Sequence, residues 1–336
     1  MQFDNSRPLD AVLVGRAAID INPVDFSIPF VESLCFNKFV GGSPANTAVG
    51  MAKLGCKPGF IGRVSDDSLG DFVLKFMADN GVDISEMKRC TNGELIGLSF
   101  IETRSDGSSN LMMYRNDDVA DLKLNVDDIR EEYIASAKLM VLSGTSLSCS
   151  PSREAALKCL MLAKKVGTKI VFDIDYRPQS WKNHDEISVY YTMAGKFADI
   201  IMGSREEFDL MSGIVVNNEK DEGTARRWFD EGVEILVIKH GKEGSFAYIK
   251  EGASYKILPF LVKSLKSTGG GDAYASAFLS GLIKGLPIDK CLERGTASAS
   301  IAVAATNCSE ALPYDSQLSS FIDERHARGE QAVFEL

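Results

Sequence analysis

The chain reads as an α/β protein: a doubly wound, mostly parallel sheet flanked by helices, with a small β-sheet lid over one edge. Three observations predict this. From Lys138 onward, short apolar runs alternate with helical patterns, the order that lays parallel strands side by side with helices on both faces. Ahead of that region, two partly alternating runs joined through Ser105-Asp106-Gly107-Ser108 read as a β-hairpin. Two glycine turns, Gly41-Gly42 and Gly269-Gly270-Gly271, each lead straight into a helical pattern.

Taken in order, Ala11-Val-Leu-Val-Gly15 is a buried strand that residues 16–20 continue and Asn22-Pro23 ends in a turn. Residues 35–40 form an exposed-edge strand. Ser43-Pro44 then starts a helix as N-cap and first helical residue, and Gly55 closes it. Phe60-Ile61 opens another strand, and 66–79 a helix stopped by Gly81. The hairpin strands are 95–102 and 110–114. We assign 16–40 and 95–115 to the lid, an excursion within one domain spanning 1–336. Strands follow at 139–142, 170–174, 200–202 and 235–238, apolar runs of the kind buried on both faces. Helices are expected at 152–165, 184–196, 206–211 and 221–231. A β-pair (245–249, 254–258) precedes the second glycine turn. After it, Tyr274, Phe278 and Leu282 recur at helical spacing and make one face apolar. Gly285 and Pro287 stop that helix, and 288–305 supplies another.

Composition narrows the function. At 336 residues, 45% apolar and 25% charged, the chain can bury a substantial core. A net charge of −10 argues against nucleic acid or an anionic membrane as partner. Seven cysteines without a Cys-x-x-Cys pair read as reduced thiols of a cytoplasmic protein. No signal pattern opens the sequence and no apolar run approaches membrane-spanning length. His184, His240 and His326 are far apart, which leaves a His-based metal site or triad without support.

The stretch Ser267-Thr-Gly-Gly-Gly-Asp272 carries the chemistry. A helix N-terminus after a glycine turn offers unpaired N–H groups to a phosphate. Asp272 is then a poor choice for binding alone, because a carboxylate repels an anion. It fits a site that needs a proton acceptor beside a transferring phosphoryl group, although an N-cap aspartate would look similar locally. The other unusual stretch is Gly41-Gly-Ser-Pro-Ala-Asn46. Its glycines allow close approach of a ligand, and Asn46 offers the donor and acceptor that sugar hydroxyls need.

Together these stretches resemble the paired signatures of the PfkB, or ribokinase-like, family of sugar kinases, over nearly the whole chain. The resemblance implies a ribokinase-like fold and transfer of a phosphoryl group from ATP, with Mg2+, to a sugar hydroxyl. It implies Asp272 as catalytic base, Gly269, Gly270 and Gly271 as anion hole, and Asp20, Gly42 and Asn46 as holders of sugar hydroxyls. Glu207 matches the acidic end of the family's Asn-x-x-Glu motif near the metal, reached through water, with Ser204 where Asn is usual. Ser204, Lys239 and Gly241 fall at nucleotide positions. Ser267 replaces the Asp that usually precedes Thr268, a departure from the family's monovalent-cation (K+) site.

Five further strings are similar to the branch of that family acting on 5-dehydro-2-deoxygluconate, a sugar acid of inositol breakdown. They are Val14-Gly-Arg-Ala-Ala-Ile-Asp20, Met113-Tyr-Arg-Asn116, Phe172-Asp-Ile-Asp-Tyr-Arg-Pro178, Arg205-Glu-Glu-Phe208 and Cys308-Ser-Glu-Ala-Leu-Pro313. A sugar acid would give Arg115 and Arg177 a physical reason, since a guanidinium fork matches a carboxylate; structural ion pairs are the alternative. Arg16 and Lys38 are further cationic candidates on the lid. A 2-keto-3-deoxygluconate kinase, a neutral-sugar kinase and a non-catalytic sugar-binding regulator stay open as rivals. A dinucleotide-dependent oxidoreductase fails for want of Gly-x-Gly-x-x-Gly after the first strand, and no Walker A string occurs. Apolar lid positions Leu98, Phe100 and Met112 either form a homodimer surface or close on the core.

Overall fold

The computed structural model describes residues 1–25, 28–103, 109–215, 219–265, 268–306, 308–330 and 333–336. The expected hairpin turn at 105–108 and Ser267 lie outside them. Strands run β1 Leu9–Val14, β2 Ala18–Pro23, β3 Phe36–Gly41, β4 Pro58–Val64, β5 Asp83–Arg89, β6 Leu98–Thr103 and β7 Ser109–Tyr114. They continue as β8 Ala137–Ser143, β9 Lys169–Asp173, β10 Ile200–Ser204, β11 Ile235–Lys239, β12 Ser245–Ile249, β13 Tyr255–Ile257 and β14 Val333–Glu335. Helices are α1 Ser43–Lys53, α2 Ser68–Asp79, α3 Glu131–Ala135, α4 Ser152–Val166 and α5 His184–Gly195. After these come α6 Arg205–Ser212, α7 Asp221–Asp230, α8 Gly270–Ile283, α9 Ile288–Val303 and α10 Asp315–Ala327.

Among the described residues the strands form a ten-stranded sheet, β14-β13-β12-β11-β10-β9-β8-β1-β4-β5, and a four-stranded sheet, β3-β2-β6-β7. Alternate residues of each central strand feed two separate cores. Ala11, Leu13, Leu139 and Val141 pack with α1, α2, α8, α9 and α10. Val12, Val14, Met140 and Leu142 pack with α3 to α7. Burial on both faces is why these strands read as unbroken apolar runs. The chain builds outward in opposite directions from β1 and β8, so the strand order reverses between them. Open α/β sheets bind ligands at the carboxyl ends of the strands flanking such a switch.

Three local expectations need correction. Residues 16–20 do not continue β1. The chain leaves the large sheet at Gly15 (φ 145°), where a Cβ would sit 2.8 Å from Ser146 Oγ and 3.0 Å from Pro44, and β2 begins at Ala18 in the small sheet. The N-cap of α1 is Gly42 (φ 96°), with Ser43 already helical; a Cβ on Gly42 would collide with the Arg16 carbonyl. Helix α8 is not one-sided, because Asp272 through Leu282 are all buried between α1 and α9. Its small residues permit that: Gly50 of α1 faces the Ser276 side chain, and Gly281 faces Cys291.

Elements β5, α3, α10 and β14 lie outside the expected set. Strand β5 (DISEMKR) is polar because it is an edge paired only with β4. Strands β2, β6 and β7 of the small sheet lie within 16–40 and 95–115, and β3 runs one residue beyond, to Gly41.

The bend at Gly15 directs the chain into the small sheet, so Gly15→Ala should lower stability by about 1–3 kcal/mol, the cost of a non-glycine residue in such backbone. The urea midpoint measures this, and an unchanged midpoint contradicts it.

Candidate active site

A cavity of about 640 Å³ opens between the carboxyl ends of the central strands and the small sheet. Helix α8 points its N-terminus into it. Gly269 caps the helix in the left-handed region (φ 82°), and the first bond of the helix runs from Ala273 N–H to the Gly269 carbonyl (3.1 Å). The N–H groups before Ala273 therefore lack intrahelical acceptors. Gly269 and Gly271 line the cavity. Gly270 faces away, with Val303 Cγ1 3.0 Å from where its Cβ would be. Thr268 Oγ1, beside this turn, is buried without a partner.

Asp272 lies in the first turn of α8 and is 9% exposed. Its Oδ2 accepts a 2.7 Å hydrogen bond from Asn46 Nδ2 of α1, so the two glycine-led helices meet through their polar residues. The other amide atom, Asn46 Oδ1, is buried with no partner. Burial pushes the Asp272 carboxyl above its usual range and the Asp175 charge adds to this; Asn46, Arg177 and Ser43 oppose.

Strand ends supply the rest. Asp173 closes β9, and burial together with Asp175, Glu207 and Asp272 pushes its carboxyl up to about 7, against the pull of Lys239. Lys239 closes β11. Burial works against its charge, but Asp173, Glu207, Asp272 and Asp175 outweigh that and raise it. Asp175 has φ 42° and accepts from Ser143 Oγ at 2.7 Å. Glu207 lines the cavity with both oxygens engaged. Oε1 accepts from the Tyr176 N–H (2.7 Å), and Oε2 from the Ser204 N–H (2.6 Å) in a capping box on α6. Among the described residues no three His, Cys, Asp or Glu side chains could together hold a metal ion. Asp173 and Glu207 both line the cavity, and one or two carboxylates are what a divalent cation carried on substrate phosphates needs from a protein.

Of the remaining expected residues, Asp20 and Gly42 line the cavity, and Gly41 leaves the room that Asp20's carboxylate occupies. Ser204 and Gly241 do not line it. Arg177 does, paired with Asp175 at 2.7 Å and donating to the Tyr176 carbonyl at 2.8 Å. Arg115 does not reach it. Its guanidinium is buried against Asp121 (2.6 Å), Ser180 Oγ (2.9 Å) and the Thr145 carbonyl (3.1 Å), the structural ion pair named as its alternative. Lys38 stands exposed over the Phe72 ring. Asp173 and Asp175 had no assigned role, although the acid-x-acid ending of an apolar strand signalled them.

A carboxyl raised on folding favours the folded state fully below its unfolded value near 3.8, and that contribution is lost as pH rises to about 7. Ligand-free Asp173→Asn should therefore match the wild type near pH 4. Its advantage should grow to about a few kcal/mol by pH 7 and level off above. Thermal unfolding across this range checks it; a variant less stable than wild type at pH 8 contradicts it.

Comparison with known proteins agrees with this geometry. The model of the pfkB family carbohydrate kinases matches residues 9–315. The chain is 55% identical over 334 residues to the 5-dehydro-2-deoxygluconokinase of Clostridium perfringens, covering 99% of this chain and 98% of that protein. Its fold is similar to a PfkB protein from Polaromonas sp. JS666 (TM-score 0.81, 27% identity, 93% of this chain and 99% of that one). It is also similar to the ATP-bound fructokinase of Xylella fastidiosa (TM-score 0.82, 23% identity, 94% and 99%). With the glycine turn, the buried Asn46–Asp272 pair and the small sheet over the strand ends all in place, the chain belongs to the PfkB family of carbohydrate kinases.

Proposed function

We propose that this enzyme transfers the terminal phosphoryl group of ATP to the primary hydroxyl of 5-dehydro-2-deoxygluconate. The observation that carries the chemistry is Asp272, buried and hydrogen-bonded to Asn46 beside the unpaired N–H groups of α8. The substrate assignment rests on relatives at 46–55% identity that carry the name 5-dehydro-2-deoxygluconokinase.

In this reading Asp272 takes the proton of the sugar hydroxyl as that oxygen attacks. Its raised carboxyl suits a base that must accept a proton. Gly269, Gly270 and Gly271 supply the anion hole, their N–H groups receiving the charge that builds on the phosphoryl oxygens. Asp20, Gly42 and Asn46 hold sugar hydroxyls. Lys239, Ser204 and Gly241, at or near the ends of adjacent strands, form the nucleotide side. When bound, Mg2+ would supply positive charge that offsets the phosphates of ATP. Glu207 and Asp173 are the carboxylates that would hold its water shell. The small sheet acts as a lid of one domain, with Ile101 and Leu111 set over the cavity to exclude water.

A cysteine content without any Cys-x-x-Cys pair fits a cytoplasmic location, and among the described residues no helix is long and apolar enough to cross a membrane. The outer side of the lid carries the clustered rings of Phe30, Phe36, Phe100 and Tyr114, with Val31 and Leu34 89% and 93% exposed. We assign this face to a second copy of the chain. Light scattering should give a dimer, and Leu34→Asp should give monomer; a monomeric wild type sinks the assignment.

General-base removal typically costs ~10²–10⁴ in rate, so Asp272→Asn should lose that much kcat while still binding sugar. Near wild-type turnover would end the role given to Asp272. Phosphate transfer across 5-dehydro-2-deoxygluconate, 2-keto-3-deoxygluconate, fructose and ribose tests the substrate. Highest kcat/KM on any of the other three overturns it, and no ATP consumption with any sugar favours a non-catalytic regulator.

A further inference from the structure

Arg16, Arg115 and Arg177 stand close enough for their charges to act on one another, and two already have carboxylates. Arg115 holds Asp121, and Arg177 holds Asp175. Arg16, on the bend between Gly15 and Ala18, is 4% exposed and lines the cavity. Its Nε and Nη1 are buried with no hydrogen-bond partner, and none of the ion pairs among the described residues includes it. Burial pulls its pKa below the ordinary arginine value, with Arg115 and Arg177 pulling the same way against Asp121 and Asp175. A guanidinium does not release its proton in practice, so the positive charge stays and these donors stay unmet. Buried charge left in this state is costly unless something completes it.

We infer that Arg16 reads the carboxylate of the substrate and sets the preference of the site for a sugar acid over a neutral sugar. This rests on the sugar-acid kinase reading above. Arg16 suits the role better than Arg177, most of whose fork is spent on Asp175 and the Tyr176 carbonyl, and better than Arg115, which does not reach the cavity. The carboxylate and the primary hydroxyl are opposite ends of a six-carbon chain, so the carboxylate reader must stand away from Asp272. Arg16 stands on the bend that enters the small sheet, and Asp272 in the first turn of α8.

The test compares wild type, Arg16→Met and Arg16→Gln on 5-dehydro-2-deoxygluconate and on the same compound with its carboxylate converted to the amide. Wild type should prefer the acid by roughly 10²-fold or more in kcat/KM, the scale of one buried charged hydrogen bond. Both variants should erase that preference, chiefly through KM for the acid, with KM for ATP unchanged. Thermal unfolding adds a readout that a structural role would move oppositely: the ligand-free midpoint should hold or rise, and stabilisation by the acid should vanish. Arg16→Gln keeps most of the side-chain volume and decides the matter if the methionine variant does not fold. A wild type that favours the acid while the folded variants keep that preference overturns the inference alone. A wild type that does not phosphorylate the acid overturns the proposed function with it.

Discussion

The hydrogen bond from Asn46 to Asp272 is the constraint around which the rest is arranged. It joins residues 226 positions apart, and each stands in the opening turns of its helix after a glycine turn. Bringing them to 2.7 Å requires α1 and α8 to pack closely along their length. That is why both helices are built from glycine, alanine and serine at their contact, with Gly50 against Ser276. A bulkier helix pair would be better filled apolar core and would hold the two polar ends apart. Small side chains also let α8 be buried on every side, which leaves its N-terminus as its main polar outlet. The glycine turn and the aspartate are thus consequences of one packing arrangement.

Much of this was legible in residue order. The apolar runs of β8 to β11 and the helices between them could be placed within a few residues because burial on both sheet faces writes a simple pattern. The glycine turns and Asp272 stood out because their residue types conflict with bland structural roles. What could not be read was the direction of side chains after a bend. Gly15 looked like the end of a strand, and only its close approach to Ser146 and Pro44 shows that the chain turns out of the sheet there. Arg115, one residue past a hairpin, seemed as able to reach the cleft as Arg177, but its fork is closed by Asp121 and three neighbouring oxygens. Strand β5 and helix α10 escaped notice because an edge strand and a surface helix owe their polarity to water rather than to their period.

The electrostatics of the cavity follow from taking charges out of water together. Asp173, Asp175, Glu207 and Asp272 crowd the strand ends, with Lys239 and Arg177 among them. Like charges at low dielectric cannot all stay ionised cheaply, so Asp173 and Asp272 rise while Lys239 holds its proton more firmly. A carboxyl raised in this way is poised to pass a proton. It owes that property to its neighbours, not to any special feature of the aspartate itself. At the lid end Arg16 and Asp20 both line the cavity.

The same cavity concentrates unmet polar atoms: Arg16 Nε and Nη1, Asn46 Oδ1, Ser99 Oγ, Arg177 Nε and Thr268 Oγ1 are all buried without partners. Each such group costs roughly 1–3 kcal/mol when desolvated and unpaired, a large sum against the 5–15 kcal/mol by which domains are stable. Those that line the cavity stand where ligand groups can restore what folding leaves unmet. Binding and stability are then two views of one free energy: the ligand that best completes these donors and acceptors is the one that most stabilises the fold, and a ligand without an anionic end leaves Arg16 unmet.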